Sequence, residues 1–285
     1  MALFLYNFKN SRTFVIKYKN MLFSIITINY NNCEGLRQTI DSVVSQTYHE
    51  YEYIVIDGGS TDESVNIIKS FSDKIDYWVS EKDRGIYHAM NKGVAHAHGE
   101  YCIFMNSGDC LYDEKVLGRL ADTDFQEDIV VGKLISDTSG QILFTPPIDK
   151  ISLYYLYSGT VPHQSSFIRT ELLRKIPYDE SLKIVSDWKF FVQAIILSNC
   201  SVRYVDVFVA KFDMEGISTS NPERMWKEKE QVISSMFPPR VLADYKSMKD
   251  SECLTQTLTP QLRHHYRIDK FLYGLGRMIL KFTKK

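Results

Sequence analysis

Four polar stretches interrupt apolar surroundings early in the chain: Asn29 to Asn31, Asp57 to Ser60, Glu81 to Arg84 and Asn106 to Asp109. The last is the sharpest. In "YCIFMNSGDC" (101–110) a mostly apolar run ends in Asn106, Ser107, Gly108 and a lone carboxylate, Asp109. Asn, Ser, Gly and Asp all favour turns, so an ordinary turn accounts for the stretch in isolation. A carboxylate in such a place can also accept hydrogen bonds or offer oxygen to a hard cation. A further acid, Asp187, heads the aromatic run "SDWKFF", where a positioned carboxylate can take a proton from a hydroxyl.

The elements between these stretches decide whether they meet. "FSIITIN" (23–29), "YEYIVID" (51–57), "IDYWVS" (75–80) and residues 101–105 read as strands. Between them Leu36, Ile40, Val43 and Val44, then Val65, Ile68 and Phe71, then Ile86, Met90 and Val94 recur at helical spacing. Ser60 with Glu63 forms a capping-box pattern, and Gly99 stands where a helix-ending glycine would. Strand and helix in alternation imply parallel pairing with right-handed crossovers, and unbroken apolar strands imply a sheet covered on both faces. In such open sheets ligands bind beyond the carboxyl ends of the strands. All four polar stretches fall there.

The second half is more mixed. "DIVVGKLIS" and "QILF" read as a hairpin and "SSFIR" as a short strand. "SDWKFFVQAIILS" reads as a helix capped by Ser186, "SVRYVDVFVAKF" as a strand, and the chain from Asn221 onward as helical. Residues 1–20 are expected to be an extension outside the fold. His96 and His98, at a helix end, and Lys92 are read as facing solvent.

The composition bounds the function. In 285 residues, 24% are charged and the formal net charge is -1, without the basic excess that nucleic-acid binding requires. The 5 cysteines are odd in number and form no CxxC pair, which argues against a disulfide framework or zinc site and fits a cytoplasmic protein. No stretch approaches the ~20 apolar residues of a spanning helix. Residues 263–285 read as an amphipathic basic helix, suited either to peripheral contact with the inner face of a membrane or to packing on protein.

Together "FSIITINYNN", "VIDGGSTDES", "SEKDRGIYHAMNKG", "NSGD", "HQSSFIR" and "SDWKFF", in this order, resemble glycosyltransferase family 2, the nucleotide-sugar-dependent enzymes of the GT-A fold. The nearest subgroup builds bacterial exopolysaccharide, O-antigen and colanic-acid-type repeat units. The resemblance covers about residues 21–218. It implies an α/β fold with a Rossmann-like, mostly parallel sheet flanked by helices, and a C-terminal helical extension. The expected organisation is a catalytic domain over 21–220, with a nucleotide-binding half (21–110) and an acceptor half (111–220), followed by a helical region over 221–285.

The resemblance also implies roles. Asn29, Tyr30, Asp57 and Ser60 line a nucleotide pocket, in which a carboxylate accepts from a base N–H and a tyrosine ring stacks; Asp57 also suits a plain turn before Gly58 and Gly59. Asp83, Arg84 and Asn91 border the base and diphosphate, where an Arg fork suits phosphate oxygens. Asn106, Ser107, His163 and Gln164 lie beside the donor or acceptor, His163 being equally open to a structural role. Asp187 is the catalytic base for an inverting transfer, or a first-turn acid favoured by the helix dipole. Family members carry an acidic pair holding Mn2+ or Mg2+ against the diphosphate; this chain keeps Asp109 alone, with Ser107 and Gly108 ahead of it. One carboxylate plus substrate phosphates can hold such a cation. "FDMEGIS" (212–218) resembles a closing loop in which Glu215 replaces a glycine. The implied partners are a nucleoside-diphosphate sugar, UDP-linked first, and a saccharide or lipid-linked saccharide acceptor; a homo-oligomer stays open. Two alternatives remain: an inactive scaffold serving assembly, and a sugar-nucleotidyltransferase, whose Gly-rich triphosphate loop "NYNNCEG" lacks.

Overall fold

The computed structural model describes residues 22–145, 151–213 and 221–250. Its first half follows directly from the apolar runs. Strand β1 (Phe23–Asn29) is buried along its whole length and pairs in parallel with β2 (Tyr51–Asp57) on one side and β4 (Tyr101–Phe104) on the other. Strand β3 (Tyr77–Ser80) extends the parallel set beside β2. Helices α1 (Cys33–Val44), α2 (Ser64–Ser70) and α3 (Ile86–His96) are the crossovers. Burial on both faces is why these strands read as continuous hydrophobic runs.

The register matters for function. Asn29 stands opposite Asp57, and Asp57 opposite Ser80. Beyond β4, Ser107 N donates to Ile28 O (3.1 Å), so the turn after β4 lies beside the end of β1. The polar ends of adjacent strands therefore form one row.

The second half supplies β5 (Cys110–Leu111), α4 (Val116–Ala121), β6 (Ile129–Ser136), β7 (Ile142–Phe144), α5 (Leu153–Ser158), β8 (Ser166–Arg169), α6 (Thr170–Lys175), α7 (Ser186–Phe191) and β9 (Val202–Phe212). One sheet runs β3-β2-β1-β4-β8-β6-β9-β5, with β7 hairpinned to β6. β8 is antiparallel to β4 and β6, whereas β6 and β9 are parallel. Phe23 ties the halves together: its ring lies 5.1 Å from Phe167 and 6.2 Å from Phe125, all inside the core. Burying such a ring stabilises by roughly 1.5–3 kcal/mol.

Three expected caps are corrected. Helix α2 begins at Ser64, where the Asp62 carboxylate accepts from Ser64 N (3.0 Å), and Ser60 turns instead toward Asp57. Helix α3 ends at His96, and Gly99 is glycine for another reason: a Cβ there would come within 2.6 Å of the Phe23 and Ser24 backbone. Ser186 is the first residue of α7, and its hydroxyl accepts from Asp179 N (2.5 Å). The histidines are engaged as well. His96 stacks on Tyr77 at 3.8 Å, and His98 Nδ1 pairs with the buried Glu52 carboxylate at 3.0 Å.

A division after Glu230 separates two compact units. Helix α8 (Pro222–Met236) runs through that point, and residues 239–250 are also helical. Among the described residues no helix is long and apolar enough to cross a membrane. The extension (1–20), Glu215 and the basic tail (263–285) lie outside the described residues.

Candidate active site

Five residues at four strand ends, Asn29, Asp57, Ser60, Ser80 and Ser107, form a polar knot at the carboxyl edge. Asp57 is wholly buried; its Oδ1 accepts from Asn29 Nδ2 (2.8 Å) and Ser60 Oγ (2.5 Å), and its Oδ2 from Ser60 N (2.9 Å), Gly59 N (3.2 Å) and Ser80 Oγ (2.6 Å). Asn29 Oδ1 accepts from Ser107 Oγ (2.6 Å), which locks the turn after β4 to the end of β1. Burial alone would push the Asp57 carboxyl up, but the donors from Ser60, Ser80 and Asn29 hold it below the usual carboxylate range. Both oxygens are committed to the protein. Asp57 thus shapes the floor of the pocket with Asn29, Ser60 and Ser80 as its side-chain partners, and Ser107 joins through Asn29.

Above this floor the arrangement opens. Tyr30, one residue past β1, is 67% exposed and offers a ring face. Gly58 lies against it: a Cβ at Gly58 would stand 3.3 Å from Tyr30 Cδ2 and 3.5 Å from Asp83 Oδ2. Asp83 Oδ1 is paired with His88 Nδ1 (2.8 Å) and Lys92 Nζ (2.7 Å), while its Oδ2 is buried and has no hydrogen-bond partner among the described residues. A buried carboxylate oxygen left unpaired is costly and marks a place where a donor belongs. Lys92 is therefore no solvent-facing residue: it bridges Asp83 and Glu81, and their bonds and charges raise its pKa against the opposing effect of burial. Arg84 reaches Glu180 Oε2 (2.5 Å) but keeps its side chain 70% exposed. Asn91 brackets Tyr178, donating to its carbonyl (2.9 Å) and accepting from its N–H (3.0 Å), which fixes the 178–180 loop over α3.

The remaining candidates form a chain of contacts. Tyr87 Oη donates to Asp187 Oδ1 (3.1 Å), Asp187 Oδ2 pairs with His163 Nδ1 (3.0 Å), and His163 Nε2 faces Asn106 Nδ2 (3.2 Å). The neutral ring with its proton on Nδ1 donates to Asp187 and accepts from Asn106. The protonated ring donates to Asp187 and, with the Asn106 amide flipped, to its otherwise unpartnered Oδ1. Burial would raise Asp187, but the bond and charge of His163 outweigh it and bring the carboxyl below its ordinary value. Burial would lower His163, but Asp187 and then Asp109 carry it above its ordinary value. Asp109, 4% exposed, is pushed up to about 7 by burial, a shift that the His163 charge opposes. Gln164 and the backbone N–H of Asp213 (3.1 Å) hydrogen-bond its carboxylate. Beneath the turn Thr39 Oγ1 accepts from Gly108 N (3.0 Å) and donates to Asp109 O (2.7 Å).

Tyr87, Lys92, Thr39, Ser80 and Asp213 were not anticipated. Tyr87 and Lys92 lie on α3, but Asp83 precedes that helix, so no regular spacing tied them to it. Asp213 had no signal either, since 104 residues separate it from Asp109. Among the described residues no three His, Cys, Asp or Glu side chains cluster as a self-sufficient metal site. The donor set fits a hard divalent cation held by carboxylate together with phosphate oxygens.

A curled α/β sheet with its polar strand ends gathered at one edge is the architecture of GT-A glycosyltransferases. Residues 24–186 match the family described as Glycosyl transferase family 2. The chain belongs to that family and is a glycosyltransferase. It is 32% identical over 209 residues to an uncharacterized glycosyltransferase of Mycobacterium tuberculosis, covering 69% of this chain and 76% of that one. Its fold is similar to that of S. aureus TarS 1-349 in complex with UDP-GlcNAc (TM-score 0.59, 22% identity, 70% of this chain and 61% of that one). It is also similar to the mannosyltransferase PcManGT from Pyrobaculum calidifontis in complex with GDP-Man and Mn2+ (TM-score 0.58, 16% identity, 75% and 63%). The chain thus spans less than two thirds of these solved neighbours.

Proposed function

We propose that this chain is an inverting glycosyltransferase that moves a sugar from a nucleoside-diphosphate sugar to a hydroxyl of a saccharide or lipid-linked saccharide in surface polysaccharide synthesis. The observation that carries the reading is the half-buried Asp187, held between Tyr87 and His163, with His163 beside Asn106 just past β4. The base lies against Tyr30, and the unpaired Asp83 Oδ2 accepts an imide N–H. Uracil and thymine meet that demand with N3–H and guanine with N1–H, whereas cytosine can offer only its exocyclic amine because its N3 is an acceptor. The UDP-bound neighbour supports uracil as first choice. Asp57, saturated by protein donors, only shapes this pocket.

Asp187 takes the acceptor proton as the acceptor oxygen closes on the anomeric carbon. The bond from that carbon to the diphosphate breaks on the opposite face, and its electron pair leaves with the diphosphate, so the centre inverts. Asp187 is ionised at neutral pH and acts as the acceptor hydroxyl acidifies on bonding. His163 holds its orientation and balances its charge. Asp109, with the diphosphate of the donor, would hold a divalent cation, Mn2+ or Mg2+, which would supply charge neutralisation for the leaving group. The retained acids Asp109 and Asp187 speak against an inactive scaffold.

Calorimetry with UDP, GDP, dTDP and CMP, each with and without Mn2+, tests the reading. Binding of one imide-base diphosphate, strengthened by Mn2+, is expected. Equal binding of CMP, or none of the four, refutes it.

A further inference from the structure

The turn after β4 lacks the first acid of the pair that the family resemblance implies, and Gly108 stands ahead of Asp109 instead. Gly108 has φ 105, the left-handed region that a side chain resists. It also has a neighbour. A Cβ at Gly108 would fall 2.5 Å from Asp213 Oδ2 and 3.1 Å from Asp213 Cβ, so the Asp213 side chain occupies the space that a residue at 108 would fill.

This approach is built into the sheet. β5 and β9 pair antiparallel with Cys110 opposite Lys211 and Leu111 opposite Ala210. Continuing that ladder two residues past β5 and β9 sets Gly108 opposite Asp213. The bond from Asp213 N to the Asp109 carboxylate Oδ1 (3.1 Å) holds the two segments together. The turn itself is fixed from below by Thr39, and Asp109 from beside by Gln164. Resting on the proposed donor reading, we infer that Asp213, at the end of β9, is the second carboxylate of the divalent-cation site, standing in for the acid absent from the 106–109 turn. Two carboxylates from opposite strands, with phosphate oxygens completing the set, make a reasonable hard-cation site. The loss at position 108 is then compensated, because glycine is what admits Asp213.

The test is direct Mn2+ binding by the full chain, read by electron paramagnetic resonance of free Mn2+, first with metal alone and then with saturating UDP. Asp213→Asn keeps the shape and removes the charge. Gly108→Ala keeps both acids but drives a methyl into the Asp213 carboxylate. Asp206→Asn, an exposed acid at the other side of β9, is the control for charge loss. Circular dichroism checks folding, and UDP binding without metal is measured in parallel. Asp213→Asn is expected to weaken Mn2+ binding at least about tenfold, as loss of a ligand should, with metal-free UDP binding and the control unchanged. Gly108→Ala should weaken Mn2+ in the same direction. Mn2+ affinity of Asp213→Asn within about twofold of the natural chain overturns the inference. So does natural protein whose UDP binding ignores Mn2+, an outcome that leaves the donor reading standing. Mn2+ bound through both acids with no nucleotide binding supports the cation site and overturns the donor reading alone.

Discussion

Asp187 owes its chemistry to His163 more than to its place at the head of α7. Burial alone would raise the Asp187 carboxyl; the His163 bond and charge reverse that sign. His163→Gln should therefore move the acid limb of the kcat–pH profile upward by about one unit or more, because the desolvated acid loses its main stabiliser. An unmoved limb would remove Asp187 from proton transfer. Stability follows by linkage. The folded His163 value lies above the ordinary 6.5, so its contribution is full below 6.5 and is lost as pH rises through the folded value. The Tm gap between natural protein and His163→Gln is thus expected to be widest below pH 6.5 and to shrink in alkali. Asp187→Asn should lower kcat about 10²- to 10⁴-fold with the fold intact, the usual worth of a general base. The sequence made Asp187 and His163 visible one at a time, as types in suggestive company. Their 3.0 Å pairing was not visible, since 24 residues and a change of element lie between them.

At the scale of elements, the parallel β1–β4 core was legible because a strand buried on both faces leaves an unbroken apolar run. Helix ends were less legible, because a local pattern cannot see competing partners. Ser60 fits a capping box, yet its hydroxyl bonds the buried Asp57 carboxylate, and a charge-assisted bond outcompetes a helix N–H. Glycines needed the structure too. Gly58 has no left-handed φ, and its Cβ would meet only Tyr30 and Asp83 side chains and the Asn29 carbonyl at 3.3–3.5 Å. Gly58→Ala should leave stability within roughly 0.5 kcal/mol and weaken UDP binding, because the methyl fills the space between ring and carboxylate. Gly99→Ala should do the opposite. Its Cβ meets backbone at 2.6 Å, which cannot yield, so urea unfolding should show a loss of about 1–3 kcal/mol with unchanged UDP affinity per folded molecule. The same response from both variants would mean that Gly58 is only a packing position.

Across the whole molecule, the site is assembled from positions 29 to 213, and the sheet order is what gathers them: β8 returns beside β4, and β9 beside β5, with Cys110 opposite Lys211. The loop that leads into α7 and Asp187 depends on chain still further on. Glu228, on α8 and 8% exposed, accepts from the backbone N–H groups of Lys183 (3.1 Å) and Ile184 (2.9 Å), just ahead of Asp187. The next residue, Lys229, donates to Gly159 O (3.0 Å) and sits 4.9 Å over the Trp188 ring. Glu228 and Lys229 lie past residue 186, where the family match ends, while Lys183, Ile184 and Gly159, which they hold, lie within it. Glu228→Ala leaves two N–H groups without their carboxylate, one of them buried, and should cost about 1–3 kcal/mol. If the loop positions the base, kcat should fall about tenfold or more, since small misplacements at a reacting centre are expensive, while KM for the donor stays put. Steady-state kinetics beside urea unfolding separates the two effects: lost stability with natural kcat would make α8 a buttress only. A fall in kcat with unchanged donor KM would mean that the helix beyond the family domain holds the base in register.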